Sequence, residues 1–413
     1  MMGPLYINDF SLHCILGSAS MADNQDVFDK LKNGTRGNFT IHDVAGVMRP
    51  AATIDPASLP AVENKVYDNR VNRLSQAALC QMDGTIRNAV EKYGASRVGI
   101  FLGSCDNGSE ASLAALKCFK ETGSFPEGYK LDYQRADFPA RFIADRYGIQ
   151  GMISVHSTAC ASSASAFVAA RNNIYAGNCD AAIVGGVDIA SLPVILGFAS
   201  LEAMSDKPTN PFSANRSGLT LGDAAVFFLV TREPDKELRC KPAAGSQTAA
   251  NPDPSSCFQL VGCGESADAD HITAPRADGE GAYQAMMAAL RDAGLSPEQI
   301  GYVNLHGTGT RLNDAMESRA VNRIFGSEVP ASSTKALTGH TLGAAGALEA
   351  AFCCMAMQHG GVLPSHLFDG CTDPELPKVK LAAAGDQVEN LEYCMSNSFA
   401  FGGCNVSLIL KNG

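Results

Sequence analysis

Met152-Ile153-Ser154-Val155-His156-Ser157-Thr158-Ala159-Cys160-Ala161-Ser162 reads as a strand, a turn and the opening of a helix. The apolar run at 153–155 has the length of a short buried strand. From 161 to 175 Ala, Ser, Phe and Val recur with helical spacing. Between them lies Cys160, where the strand ends and the helix begins. A helix N-terminus carries partial positive charge and unpaired N–H groups. Both favour a thiolate and lower the cysteine pKa. The local sequence leaves two roles open for Cys160: a nucleophile that substrate reaches past small neighbours, or a packed cysteine at a crowded turn.

The same alternation continues outward. Apolar runs at 97–102, 152–155, 181–187, 224–231, 258–262, 302–305 and 406–410 read as strands. Helical patterns at 161–175, 281–293, 314–325 and 343–358 lie between them. Alternation of this kind predicts an α/β fold, and strands without polar alternation predict a sheet covered on both faces. Segment 236–256 breaks the pattern with Pro242, Gly245, Pro252 and Pro254, which is loop chemistry. It divides 413 residues near their middle, a length that fits two domains or one duplicated core.

Composition excludes several classes. With 46% hydrophobic and 18% charged residues the balance is globular. A net charge of −11 argues against nucleic acid or an anionic membrane as the main partner. The 14 cysteines form no CxxC pair and no zinc-like spacing with histidine, so no metal is expected and reduced, buried thiols are. No secretory pattern opens the chain and no apolar run reaches 18 residues, so the expectation is a cytoplasmic protein.

Three more turns carry candidate chemistry. His306 lies in Asn304-Leu305-His306-Gly307-Thr308-Gly309-Thr310, where an apolar run meets a glycine-rich turn. His340 lies in Ser333-Thr334-Lys335-Ala336-Leu337-Thr338-Gly339-His340, just before a helix. Such loops are where α/β proteins place function. The third turn is Asn397-Ser398-Phe399-Ala400-Phe401-Gly402-Gly403-Cys404-Asn405, whose backbone N–H groups could face an oxyanion. His156 stands one residue short of the cysteine turn and reads as structural.

Together and in this order, the four segments resemble the β-ketoacyl-acyl-carrier-protein synthases of the thiolase-like superfamily, and among them the elongating type. Asn210-Pro211-Phe212, Arg216-Ser217-Gly218 and Gly343-Ala344-Ala345-Gly346 match as well. The resemblance implies a thiolase-like duplicated five-layer αβαβα fold. Residues 1–235 would form the N-terminal half with the nucleophile, 236–256 a connecting loop, and 257–413 the C-terminal half with both histidines. It implies decarboxylative Claisen condensation of a Cys160-bound acyl group with a malonyl-carrier protein, in fatty-acid, polyene or polyketide elongation. His306 and His340 would stabilise the enolate, Lys335 would support them electrostatically, and Glu349 would organise the site from behind. The N–H groups of Cys160 and Phe401 would form the oxyanion hole, with Phe401 also gating the acyl pocket. Thr308, Thr310 and Thr273 would contact the phosphopantetheine arm. No permanently bound cofactor is implied; substrates arrive on the phosphopantetheine of an acyl carrier protein.

Within the superfamily, His340 separates this chain from initiating enzymes and thiolases, and Cys160 from chain-length scaffolds. A non-elongating acyltransferase and a scaffold subunit are the alternatives. The expected assembly is a homodimer, or a heterodimer with a chain-length-factor relative. Two departures from the family pattern bear on substrate. Ala400 replaces a glycine beside the Phe401 gate, and Asp106 and Asn107 stand where small or apolar residues close the acyl pocket. Either these two accept an acyl chain with a polar or aromatic end, or they turn outward into their loop. Lys65, Arg70, Arg73 and Lys207 fall near the family's carrier-docking regions, and complementary charge would guide an acidic carrier there.

Overall fold

A computed structural model describes residues 2–44, 46–106, 108–238 and 257–413. Asn107 and most of the 236–256 connection therefore lie outside the described residues.

One twelve-stranded mixed sheet spans the molecule. From edge to edge its path runs Lys380–Leu381, Pro330–Ser332, Tyr302–Asn304, Tyr393–Phe399, Cys404–Lys411, Phe258–Ala267, Leu5–Cys14, Ala224–Thr231, Ala181–Asp188, Val98–Gly103 and Ile153–His156. Gly17–Ser20 pairs with Leu5–Cys14 off that path. Within this sheet, the described strands from before the connection lie on one side of a seam and those from after it on the other; Thr40–Val44, Val47–Ala52 and Leu221–Gly222 form a separate three-stranded sheet. At the seam Leu5–Cys14 runs antiparallel to Phe258–Ala267, with Leu5 opposite Leu260.

The strands that the sequence predicts are present with ends shifted by a few residues. Pro330–Ser332, Tyr393–Phe399 and Leu5–Cys14 are among the strands that the sequence does not predict. Leu5–Cys14 forms ten residues at the centre of the sheet, buried from Ile7 to Leu12. Asn8, Asp9 and Ser11 blur its apolar pattern, and buried partners satisfy Asn8 and Asp9: Asn8 donates to Thr231 and Asp9 accepts from Thr85.

Two helices lie between the flanks of the sheet. Ser162–Tyr175 packs on Val98–Gly103 and Ala181–Asp188, and also on Cys404–Lys411 across the seam. Ala345–Gln358 packs on Tyr393–Phe399, Cys404–Lys411, Ala224–Thr231 and Leu5–Cys14, and on the first helix. Outside, Arg70–Leu79 covers one flank and Glu280–Ala293 the other. Helix, sheet, helix, sheet and helix give the five αβαβα layers. The middle layer explains the composition of its helices. Ala345–Gln358 is buried all round as far as Met357, so its sequence shows no polar stripe. Close approach also demands glycine: a Cβ at Gly103 would lie 2.2 Å from the backbone nitrogen of Ser163.

Candidate active site

Strand Ile153–His156 ends, a turn at Ala159–Ala161 follows, and helix Ser162–Tyr175 begins. Ser162 Oγ accepts the N–H of Thr158 at 2.9 Å and donates to the carbonyl of Ala159 at 2.6 Å, which closes the turn. Ala159 adopts φ +48°, a left-handed conformation that costs a non-glycine residue on the order of 1–3 kcal/mol. Cys160 faces a cavity of about 330 Å³, shared with His306, His340, Thr273, Thr308, Thr310, Phe399 and Phe401.

The structure brings the cysteine and both histidines together. His340 Nε2 lies 3.0 Å from Cys160 Sγ. His340 Nδ1 accepts the N–H of Leu342 at 3.3 Å, which assigns the ring proton to Nε2. The His306 ring stands 5.3 Å from the His340 ring and nearly perpendicular to it. The sulfur and one nitrogen of each ring lie within 4.8 Å of one another. Beneath them, buried Lys335 is ion-paired with Glu349.

Burial and Lys335 set the protonation states. Burial first, then the Lys335 ammonium, holds both imidazoles well below the usual histidine range, so both are neutral. Glu349 is pushed up to about 7 by burial, against the pull of Lys335. Cys160 corrects the sequence reading. A helix does start beside it, but burial pushes the thiol up to about 11, against the pull of Lys335 and of the Phe401 N–H. Desolvation of the sulfur outweighs the helix end, so the thiol is the resting form.

Glu317 belongs to the site and is absent from the sequence reading. Its carboxyl accepts the N–H groups of His306 and Gly307, each at 2.7 Å, and so clamps the turn that presents the His306 ring. Burial pushes Glu317 up to about 8. Asp314, one turn earlier on helix Arg311–Phe325, accepts the N–H groups of Gly309 and Phe212. A usable signal existed: two carboxylates three apart on the apolar face of a helix.

The remaining candidates divide. Thr308 and Thr310 line the cavity with their hydroxyls 2.9 Å apart, and Thr273 lines it from the other side. The Phe401 backbone N–H points at the Cys160 sulfur, and its ring lies 5.8 Å from that of Phe198. Ala400 is not among the described residues with positive φ, so it bears no left-handed strain in this arrangement. Asp106 bonds within its own loop. It is buried, it accepts the N–H of Ser109 at the start of helix Ser109–Thr122, and it does not line the cavity. His156 does not line it either.

The docking candidates lie in different settings. Arg70 is 12% exposed and pairs with Glu110 at 2.6 Å and with buried Asp223 at 2.5 Å. It is an internal counter-ion, not a free surface charge. Arg73 holds Asp68 through two bonds, at 2.6 and 3.0 Å, and Lys65 shares the same carboxylate. Lys207 is exposed without an ion pair among the described residues. At the cavity rim the sequence reading omits Arg311, which is exposed beside Leu312 and Leu201.

Comparison with known proteins agrees with this arrangement. Residues 38–236 match the family model for the N-terminal domain of β-ketoacyl synthases, and residues 257–369 match that for the C-terminal domain. The chain is 34% identical over 336 residues to 3-oxoacyl-[acyl-carrier-protein] synthase 2 of Vibrio cholerae, covering 78% of this chain and 77% of that one. It is 34% identical over 358 residues to the mitochondrial 3-oxoacyl-[acyl-carrier-protein] synthase of Arabidopsis thaliana, covering 81% and 74%. Among solved structures, the ketosynthase ApeO of Xenorhabdus doucetiae, in complex with its chain length factor ApeC, superposes with a TM-score of 0.87 at 36% identity, covering 100% and 98%. A β-ketoacyl synthase from Burkholderia phymatum superposes with 0.80 at 28% identity over both whole chains. Fold, site and relatives converge: the chain belongs to the β-ketoacyl synthase family.

Proposed function

We propose that this chain is an elongating condensing enzyme that works through Cys160, His306 and His340. One observation carries the reading: a buried thiol meets two neutral imidazoles, and the nearer one presents Nε2–H at 3.0 Å. In the first step the Cys160 sulfur attacks an acyl thioester on a carrier protein. The N–H groups of Cys160 and Phe401 hold the tetrahedral oxyanion; the bond to the carrier sulfur breaks, and that sulfur takes up the proton the Cys160 thiol gives up, leaving as the carrier thiol. In the second step a malonyl thioester takes its place. Its carboxylate departs as carbon dioxide, and the electron pair of that bond forms an enolate. Nε2–H of His340 and a ring N–H of His306 stabilise the enolate oxygen. Neutral rings suit this, since each donates a hydrogen bond without first losing a proton. The enolate carbon then attacks the acyl carbonyl, a carbon–carbon bond forms, and the Cys160 sulfur is released. Burial, reinforced by Lys335, keeps both rings neutral, Glu349 holds Lys335, and Thr308, Thr310 and Thr273 line the path of the phosphopantetheine arm.

The partner is an acyl carrier protein, as the names of the relatives indicate for those enzymes. Lys207 and Arg311 supply docking charge near the rim, and Leu201 and Leu312 supply exposed apolar contact. A second subunit fits the sheet edge. Ile153–His156 is an edge strand, and Met152, Leu116, Phe119, Leu192 and Leu196 lie exposed on the segments near it. Unpaired strand edges and exposed apolar patches mark protein interfaces. The occupant is a second copy or a chain-length-factor relative, such as the one that accompanies ApeO. The division into residues 1–235 and 257–413 accords with the two flanks of the sheet and with the two family models.

Intact-mass detection of an acyl adduct tests the reading. The adduct forms from a carrier-linked thioester and is lost in Cys160→Ala. His340→Ala keeps the adduct and loses malonyl decarboxylation. An adduct that persists in Cys160→Ala, or decarboxylation that survives loss of His340, overturns the assignment. A chain that forms no adduct at all is the scaffold subunit instead.

A further inference from the structure

The segment that follows His340 is held by a carboxylate outside the reacting groups. Asp188 is the last residue of strand Ala181–Asp188 and is fully buried. Its Oδ1 accepts the hydroxyl of Ser104 at 3.0 Å and the N–H groups of Cys105 and Asp106, each at 2.9 Å. Its Oδ2 accepts the N–H of Gly343 at 2.6 Å and lies 3.0 Å from the N–H of Cys105. No lysine, arginine or histidine forms an ion pair with it among the described residues. One carboxylate thus ties the end of strand Val98–Gly103 to the backbone just after His340.

That backbone needs a tie. Leu342 has φ +54°, in the left-handed region that side-chain-bearing residues avoid. The same residue directs its N–H at His340 Nδ1, 3.3 Å away. There is no spare room: a Cβ on Gly343 would lie 2.6 Å from Asp188 Oδ2. The chain of contacts is short. Asp188 holds Gly343, and Gly343 keeps Leu342 in its unusual conformation. The Leu342 N–H occupies Nδ1, and the ring proton is left on Nε2, 3.0 Å from the Cys160 sulfur. The residue type follows from the donors. Four groups point hydrogens at this side chain, and only a carboxylate accepts on both oxygens; an asparagine would turn an NH₂ toward one of them.

We propose that Asp188 is a positioning residue of the condensation site, fixing His340 in its Nε2–H tautomer through the Leu342–Gly343 backbone. The proposal rests on the reading of His340 as the donor to the enolate oxygen. Asp188 touches no reacting atom. It acts by deciding which ring nitrogen of His340 carries the proton. The Ser104–Asp106 turn shares the carboxylate, so the segment beside the nucleophile and the segment after His340 keep a fixed spacing.

Asp188→Asn keeps the side-chain shape and exchanges one acceptor for a donor. Malonyl decarboxylation is expected to fall about 10- to 100-fold, the range seen when a reacting group is misplaced. KM is expected to stay within about twofold, since substrate contacts are untouched. Imidazole nitrogen NMR, with the His340 signals assigned by their loss in His340→Ala, should show an Nδ1–H population absent from the unmodified enzyme. Ser104→Ala removes one donor on the far side and should leave the tautomer unchanged. An unchanged rate in Asp188→Asn overturns the proposal, and so does a lost rate with an unchanged tautomer. Should that variant not fold, the unmodified enzyme decides: an Nε2–H signal for His340 supports the proposal, and an Nδ1–H signal overturns it. Absence of decarboxylation in the unmodified enzyme would instead remove the condensing reading, and the tautomer measurement would still stand.

Discussion

Lys335 and Arg70 are both cations that pair with a buried carboxylate, yet they belong to different parts of the molecule's business. Lys335 is buried behind the reacting groups, 1% exposed, paired with Glu349. Its charge reaches the Cys160 sulfur and both histidine rings. Arg70 lies on the outer helix Arg70–Leu79, paired with Asp223 and Glu110. Asp223 in turn accepts the N–H groups of Ile54 and Ala190, so Arg70 secures backbone. Charge, burial and ion pairing are shared. What differs is whether a reacting group lies within range of the field.

Substitution can break that comparison. The largest effect belongs to Lys335→Ala. It leaves Glu349 buried without its partner, at about 3–5 kcal/mol of stability, and removes the charge that adds to burial in depressing both imidazoles. The His340 pKa moves upward, and decarboxylation falls about 100-fold or more if neutral rings are required. Adding Glu349→Gln should recover stability in chemical denaturation and leave the rate low; recovery of both would merge the two regions into one structural role.

Arg70→Ala comes next. It should cost a similar 3–5 kcal/mol, roughly, because Asp223 is left unpaired. Its kcat and its KM for the carrier-bound substrate should hold in the folded fraction. A raised KM with unchanged stability would return Arg70 to the docking surface.

Glu317 sharpens the comparison with a carboxyl that forms no ion pair among the described residues. Its folded-state pKa, about 8, is raised above the unfolded value. The folded state therefore keeps a proton that the unfolded chain has lost, and this group's share of stability declines as pH rises from about 4.3 toward 8. Glu317→Gln should flatten that decline in denaturation curves at pH 5 to 8. A slope equal to that of the unmodified enzyme would mean that Glu317 is already ionised across the range.

The smallest effect is expected at the rim. Lys207→Glu with Arg311→Glu should raise KM for the carrier-bound substrate about three- to tenfold at low salt, and less at high salt. Stability should change by less than about 0.5 kcal/mol. A small thioester mimic should show no change in KM; an equal rise for both substrates would place these charges in the acyl path.

Much of this was legible before any coordinates. The strand–turn–helix unit at Cys160 and the turns at His306 and His340 follow from periodicity and glycine placement, and the resemblance gave their joint chemistry. Four matters were not legible, each because long-range contacts decide them. The thiol of Cys160 responds to desolvation more than to the helix beside it. Arg70 looks like a surface cation on a helix, and only the fold brings Asp223 against it from 153 residues away. Glu317 and Asp188 bond to backbone N–H groups, which no side-chain motif records. The first strand carries Asn8 and Asp9 in its apolar pattern, and their partners Thr231 and Thr85 meet them only in the folded chain.

Helix Ala345–Gln358 touches strands from both flanks and faces water almost nowhere. Its N-terminal turn leans on Ser163 through the Ala347 N–H, 184 residues distant in sequence. Such contacts repay their loop-closure entropy only when they form, so chains that depend on them fold slowly. Glu349 rides on this helix. A nascent chain can therefore complete either flank and still lack a catalytic floor, and the first turnover marks the end of folding.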